Sequence, residues 1–96
     1  MTQKNHNFIK LYNLINDYLL EHISFSSFSN TISNYLFEIE DKKIFDLEFV
    51  KYVKNLIYLI DSYYDYNITL EDFKRNLKGI HNQLSTDIEK RGTVFP

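Results

Sequence analysis

The chain has no cysteine, no tryptophan and no alanine, only two glycines, and a single proline that is its last residue. Without cysteine there is neither a disulfide framework nor a thiolate metal site, and a reducing compartment is the expected setting. Gly79 and Gly92 stand apart, so there is no glycine-rich loop of the kind whose backbone cradles a nucleotide phosphate. No apolar run approaches the roughly 18 residues of a membrane helix. The opening MTQKNHNFIK also lacks the apolar stretch of a secretory signal. Membrane insertion and export are disfavoured on these grounds, and a cytoplasmic location is expected.

What the chain does have is core material. Of its 96 residues 44% are hydrophobic, with eight Phe and eight Tyr, enough to fold as one domain over residues 1–96 rather than remain disordered. The abundance of Asn, Ile, Lys and Tyr matches the codon bias of an AT-rich bacterial genome. There are no internal repeats, low-complexity tracts or linkers.

Apolar residues recur at steps of three and four through most of the chain, the period of amphipathic helices. Phe8, Leu11, Tyr12, Ile15, Tyr18 and Leu19 predict a first helix over about 5–22. Ser24 is positioned to cap a second helix, 25–40, with Phe25, Phe28, Ile32, Tyr35, Leu36 and Ile39 on one stripe. The cluster Asp41, Lys42 and Lys43 breaks the pattern. Asp46 then caps a third helix, 47–65, carrying Leu47, Val50, Val53, Leu56, Ile57, Ile60 and Tyr64. That segment is also rich in β-branched and aromatic residues, so a strand competes, but the spacing of its charges fits a period near 3.6 better than alternation. Thr69 and Asp72 have capping-box spacing and open a fourth helix, 70–90, with Leu70, Phe73, Leu77, Ile80, Leu84 and Ile88 inward. Gly92 is placed to end it in a left-handed conformation. Gly79, inside this helix, reads as an allowance for close helix packing, and the tail 93–96 as loose. The expected architecture is all-α, an antiparallel four-helix bundle.

Catalytic machinery is not evident. His6, His22 and His81 are far apart and make neither H-x-x-x-H nor E-x-x-H spacing, so no metal site is expected. His22 reads as a cation at a helix end and His81 as an exposed helix residue, although His81 with Asp61 or Asp65 would be the one conceivable acid/base pair. The serines 24, 26, 27, 29 and 33 lack a nucleophile elbow and read as caps and surface. The chain is therefore expected to be no enzyme, with no catalytic residues, no metal and no cofactor.

The net charge of −2 conceals an asymmetry. Residues 36–72 hold nine carboxylates against four lysines, a balance of −5, whereas residues 73–96 have a balance of +3. In an antiparallel bundle the end of helix 3 meets the start of helix 4, which gathers Asp61, Asp65, Glu71 and Asp72 at one pole. Tyr63, Tyr64 and Tyr66 share it, and tyrosine is a residue type enriched at protein interfaces. The pole reads as a face for a basic partner. The plainer reading makes Tyr64 a core residue and Glu71 and Asp72 a complement to the helix dipole. Lys74, Arg75, Lys78, Lys90 and Arg91 offer a possible nucleic-acid face, but the acidic middle would repel phosphate.

The segments Ile23-Ser-Phe-Ser-Ser-Phe-Ser-Asn-Thr-Ile32, Leu56-Ile-Tyr-Leu-Ile-Asp-Ser-Tyr-Tyr-Asp65 and Ile68-Thr-Leu-Glu-Asp-Phe73 together resemble the colicin D-type self-protective immunity family. The likeness covers most of the chain, and immunity proteins of contact-dependent growth inhibition are similar. The resemblance implies a small four-helix bundle that covers the substrate cleft of a toxin nuclease with acidic side chains. Asp61 would match one acidic residue of that family, and Asp65 falls near a second. The implied partner is a cognate toxin, an RNase or tRNase; from charge and hydropathy neither nucleic acid nor membrane is expected as a partner, and a monomer is the expected state. A helical interaction module of antitoxin type is the alternative.

Overall fold

Ser24, Asp46 and Thr69 each start a helix. The Ser24 hydroxyl accepts the Ser27 N–H at 3.1 Å, the Asp46 carboxylate accepts the Glu48 N–H at 3.0 Å, and the Thr69 hydroxyl accepts the Asp72 N–H at 3.1 Å. These bonds satisfy amide groups that the first turn of a helix leaves without partners. The computed structural model describes residues 3–41 and 46–92, with side chains from residue 6 onward. It contains four helices, α1 (Gln3–Leu19), α2 (Phe25–Glu40), α3 (Leu47–Tyr64) and α4 (Leu70–Lys90). No strand occurs among the described residues, so the strand reading of the third segment is set aside. The expected break at Lys42 and Lys43 and the loose tail 93–96 lie outside the described residues.

The first helix is shorter than its apolar pattern predicts, ending at Leu19 rather than near His22. Glu21 takes φ +62°, its N–H donates to the Tyr18 carbonyl at 2.9 Å, and the His22 N–H donates to the Asp17 carbonyl at 2.8 Å. This pair of bonds is a Schellman closure, which normally places glycine at the left-handed position. Here Glu21 occupies it, so the stop has no compositional signature. His22 consequently lies beyond the helix, with Nδ1 3.7 Å from the Asp17 carboxylate. The third helix closes the same way: Tyr66 has φ +61°, and its N–H and that of Asn67 donate to the carbonyls of Tyr63 and Ser62. A left-handed L-residue costs about 1–2 kcal/mol. The fourth helix closes on Gly92 at φ +78°, where its position predicts.

One phenylalanine from each helix, Phe8, Phe28, Phe49 and Phe73, is fully buried. Around them the core divides into two aromatic clusters. At one, Phe49 packs edge-on against Phe8 (5.7 Å between centroids) and Tyr35 (5.6 Å). At the other, Tyr18 stacks on Phe28 at 4.9 Å, and Phe73 meets Phe25, Tyr18 and Tyr63. Aliphatic side chains, among them Leu11, Ile15, Ile32, Val53, Leu56, Leu77, Leu84 and Ile88, fill the rest of the buried core. Helix packing is consistent with a bundle, with α1 against α4 and α2 against α3 as the main pairs.

Several readings of buried and exposed positions are corrected, beginning with Leu70, which its stripe on α4 places inward and which is 43% exposed. The inward face of α3 is Phe49, Tyr52, Val53, Leu56, Leu59 and Ile60, whereas Leu47 and Tyr64 are 79% and 72% exposed. Gly79 is exposed, and a Cβ built there meets nothing within 4 Å. It therefore allows no close helix approach. No helix among the described residues is long and apolar enough to cross a membrane.

Candidate functional site

The end of α3, the turn after it and the start of α4 bring the seven pole residues to one region of the molecule, but in different roles. Tyr63 is half-buried, 5.3 Å from the ring of Phe25 and 5.2 Å from that of Phe73. It anchors the surface to the core. Tyr64 is mostly exposed and Tyr66 is 95% exposed. The Schellman closure holds the Tyr66 backbone in place while its ring projects outward.

The carboxylates divide as well. Glu71 and Asp72 lie in the first turn of α4 and both pair with Arg75, at 3.7 and 3.0 Å. Their charge is partly spent on that arginine and on the helix N-terminus. Asp61 and Asp65 are exposed and enter no ion pair among the described residues. Asp61 lies in the last turn of α3, and Asp65, four positions on, is its C-cap. They leave an uncompensated negative field at the pole.

A cavity of about 390 Å³ opens between Phe25, Tyr63, Tyr64 and Tyr66. In the sequence, Phe25 belongs only to the apolar stripe of α2. Its place at the pole follows from α2 beginning where α3 ends, a tertiary relation with no local sequence signal. A second, larger groove of about 600 Å³ runs between α3 and α4, lined by Asn55, Tyr58, Leu59, Ser62, Asn67, Ile68, Asn76 and Ile80. Sequence reasoning missed it. The one available signal was Tyr58, a tyrosine between two core positions that is 76% exposed.

His81 is not the exposed residue its sequence context suggests. It is half-buried against the ring of Tyr12, and its Nε2 is buried with no hydrogen-bond partner among the described residues. Burial lowers its pKa from 6.5. Neither Asp61 nor Asp65 is bonded to it, so the conceivable acid/base pair is not assembled. No group of three or more His, Cys, Asp or Glu residues able to hold a metal occurs among the described residues.

Of the five basic residues from Lys74 to Arg91, three pair with carboxylates, and Lys78 and Lys90 enter no ion pair among the described residues. Lys74 lies 3.9 Å from Glu21, and Arg75 pairs within its own helix. Arg91 reaches Asp46 at 3.3 Å and Glu48 at 3.0 Å, with its guanidinium 4.2 Å above the ring centre of Phe8. No protein family, curated protein or solved structure matches the chain.

Proposed function

We propose that this chain is an immunity protein of the colicin D type or of a related contact-dependent-inhibition type, which binds a cognate toxin nuclease and performs no reaction itself. The observation that carries this reading is the pole at the end of α3. There the carboxylates of Asp61 and Asp65, exposed and without an ion pair among the described residues, accompany the exposed rings of Tyr64 and Tyr66. A nuclease cleft is lined with cations that meet phosphate, and an acidic surface is its electrostatic complement. Desolvated tyrosines supply the contact area that slows dissociation. The toxin is thus neutralised by exclusion of its substrate.

The architecture in this reading is an antiparallel bundle, and the reading takes it to work as a cytoplasmic monomer. The helix directions are supported by contacts between side chains: Phe25 near Tyr63 and Tyr35 near Phe49 run α2 against α3, and Tyr18 near Phe73 with Arg91 over Phe8 runs α1 against α4. The ion pairs of Lys74, Arg75 and Arg91 weigh against a nucleic-acid face, because these cations are already engaged by carboxylates.

The test is calorimetric titration against the C-terminal domain of the secreted protein encoded directly upstream. A nanomolar, salt-sensitive complex that abolishes nuclease activity is expected. Absence of binding, or binding that leaves the nuclease active, returns the chain to the helical interaction modules.

A further inference from the structure

The outer face of α3 carries one stripe of exposed side chains, Lys51, Lys54, Tyr58, Asp61 and Asp65, at alternating steps of three and four. At 3.6 residues per turn these positions lie within about 60° of Tyr58 around the helix axis. Asp65 is the C-cap, and its N–H donates to the Asp61 carbonyl at 2.9 Å, so it continues the helical path. None of the four charges enters an ion pair among the described residues. Tyr58, at the centre, is 76% exposed. With Asn55 and Ser62 it forms the α3 wall of the groove of about 600 Å³.

The order of these charges works against an isolated helix. Lys51 and Lys54 are like charges three positions apart, and Asp61 and Asp65 are like charges four apart, spacings at which helix side chains repel. The two aspartates also stand at the C-terminal end of α3, where the dipole favours cations, and the last turn holds no basic residue. A second α3 running the opposite way offsets both costs. Lys51 and Asp65 lie seven positions to either side of Tyr58, and Lys54 and Asp61 lie four before and three after it. Antiparallel alignment on Tyr58 therefore sets Lys51 of each copy against Asp65 of the other, and Lys54 against Asp61. Parallel alignment would set like charges together.

We propose that this face is the contact of a homodimer, in which two copies of α3 cross antiparallel about a two-fold axis at Tyr58. On the groove side of the stripe Asn55 of one copy meets Ser62 of the other, which brings each Tyr58 ring to the mouth of the opposite groove. Leu59, Ile68 and Ile80 line that groove with apolar surface for the ring, and its asparagines offer polar groups to the hydroxyl. A two-fold contact of this kind is closed, so association stops at two. The ion pairs are exposed and individually weak, which sets a dissociation constant on the order of 100 µM. More dilute chain is the monomer of the proposed function, and a toxin held at Asp61 and Asp65 competes with the second copy.

The experiment is sedimentation velocity of the native chain at low salt, from about 5 µM to about 500 µM. A monomer–dimer equilibrium is expected, weakened about tenfold at 1 M salt, where the screening length is only about 3 Å. The double variants Lys51→Glu with Lys54→Glu, and Asp61→Lys with Asp65→Lys, each set like charges face to face and stay monomeric. Mixed in equal amounts they regain opposite charges at every facing position, and a one-to-one dimer returns. Tyr58→Ser weakens the native dimer about tenfold. All five positions are exposed, so the variants keep the fold, which circular dichroism checks. A native chain that stays monomeric throughout, a dimer indifferent to salt, charge variants that dimerise as the native chain does, or a mixture that stays monomeric each overturn the contact. The salt series needs no variant. No toxin is present, so dimerisation and toxin neutralisation fail separately.

Discussion

The imidazole of His81 lies almost flat on the ring of Tyr12, with centroids 4.0 Å apart and planes 18° from parallel. The stack joins α4 to α1, the pair of helices with the most extensive contact. Burial there penalises the charged imidazolium and lowers the His81 pKa from 6.5. The unfolded chain titrates near the ordinary value and so binds more protons between the lowered folded pKa and 6.5. The His81 contribution is therefore complete above pH 6.5 and is lost progressively as pH falls through that window. Thermal melts between pH 7.5 and 5 should record this acid-side decline. His81→Phe keeps a stacking ring without a titrating nitrogen and should flatten it, with His6 and His22 retained in both proteins. An equal decline in the variant assigns the effect elsewhere.

The alkaline side is governed differently. The Tyr52 hydroxyl donates to the Asp87 carboxylate, tying α3 to α4. Burial first, and then this bond, push the Tyr52 phenol far above its ordinary value of 10. A raised acid is protonated in the fold when it would ionise in the unfolded chain, so its contribution is complete below about pH 10 and is lost as pH rises beyond it. Tyr52→Phe removes the donor and leaves the carboxylate unmet. It should cost about 1–3 kcal/mol at neutral pH. In urea melts between pH 9 and 11 the native protein should lose stability toward the variant. A variant as stable as the native protein at pH 7 would show that the bond contributes nothing.

Arg91 follows the end of α4 and reaches back to the cap of α3. Its side chain is 23% exposed, and that of Asp46, to which it pairs, is 11% exposed. Arg91→Met keeps much of the apolar stem over Phe8 but leaves Asp46 shielded from water without its cation. A loss of about 1–3 kcal/mol is expected by chemical denaturation. Arg91→Lys should recover only part of it, because an ammonium cannot stack on Phe8 and bridge two carboxylates as a planar fork does. Full recovery by lysine would reduce the site to simple charge pairing.

Gly79 offers a change in the opposite direction. It lies inside α4, is exposed, and a Cβ there meets nothing within 4 Å. Gly79→Ala should stabilise the chain by about 1 kcal/mol, because alanine loses less backbone entropy in a helix. For a domain of this size that is a rise in Tm of about 4–8 °C. A lower Tm would reveal a role for Gly79 that packing geometry does not show.

The residues that resisted sequence reading did so for two physical reasons, an uninformative residue type and a distant partner. Ser24, Asp46, Thr69 and Gly92 act locally, through their own side-chain oxygens or backbone, and each works where its position predicts. Glu21 also acts locally, but its residue type carries no left-handed preference, so α1 stops without warning. On α3, apolar residues surround much of the helix, and a stripe through Leu47 and Tyr64 fits the 3.6 period as the true stripe through Phe49 and Leu59 does. Packing against α2 and α4 decides between them. His81 and Phe25 depend on partners far along the chain, Tyr12 and Tyr63. No window around either residue contains that information.

Asp61 and Asp65 lead to the kinetic prediction. Both are exposed at the end of α3 and unpaired among the described residues, so in a complex they act chiefly through their field before contact is made. Charges of this kind change association rates more than dissociation rates. Under the proposed function, replacing both by asparagine should slow association with the toxin domain about tenfold at low salt. The native and variant rates should converge as salt rises, because at 1 M the screening length is only about 3 Å. Stopped-flow mixing at several salt concentrations measures this directly. Unchanged association with faster dissociation would place the carboxylates inside the contact instead of around it. If neither rate changed, the partner face would lie elsewhere, and the groove between α3 and α4 at Asn55, Tyr58 and Asn76 would be the surface to examine next.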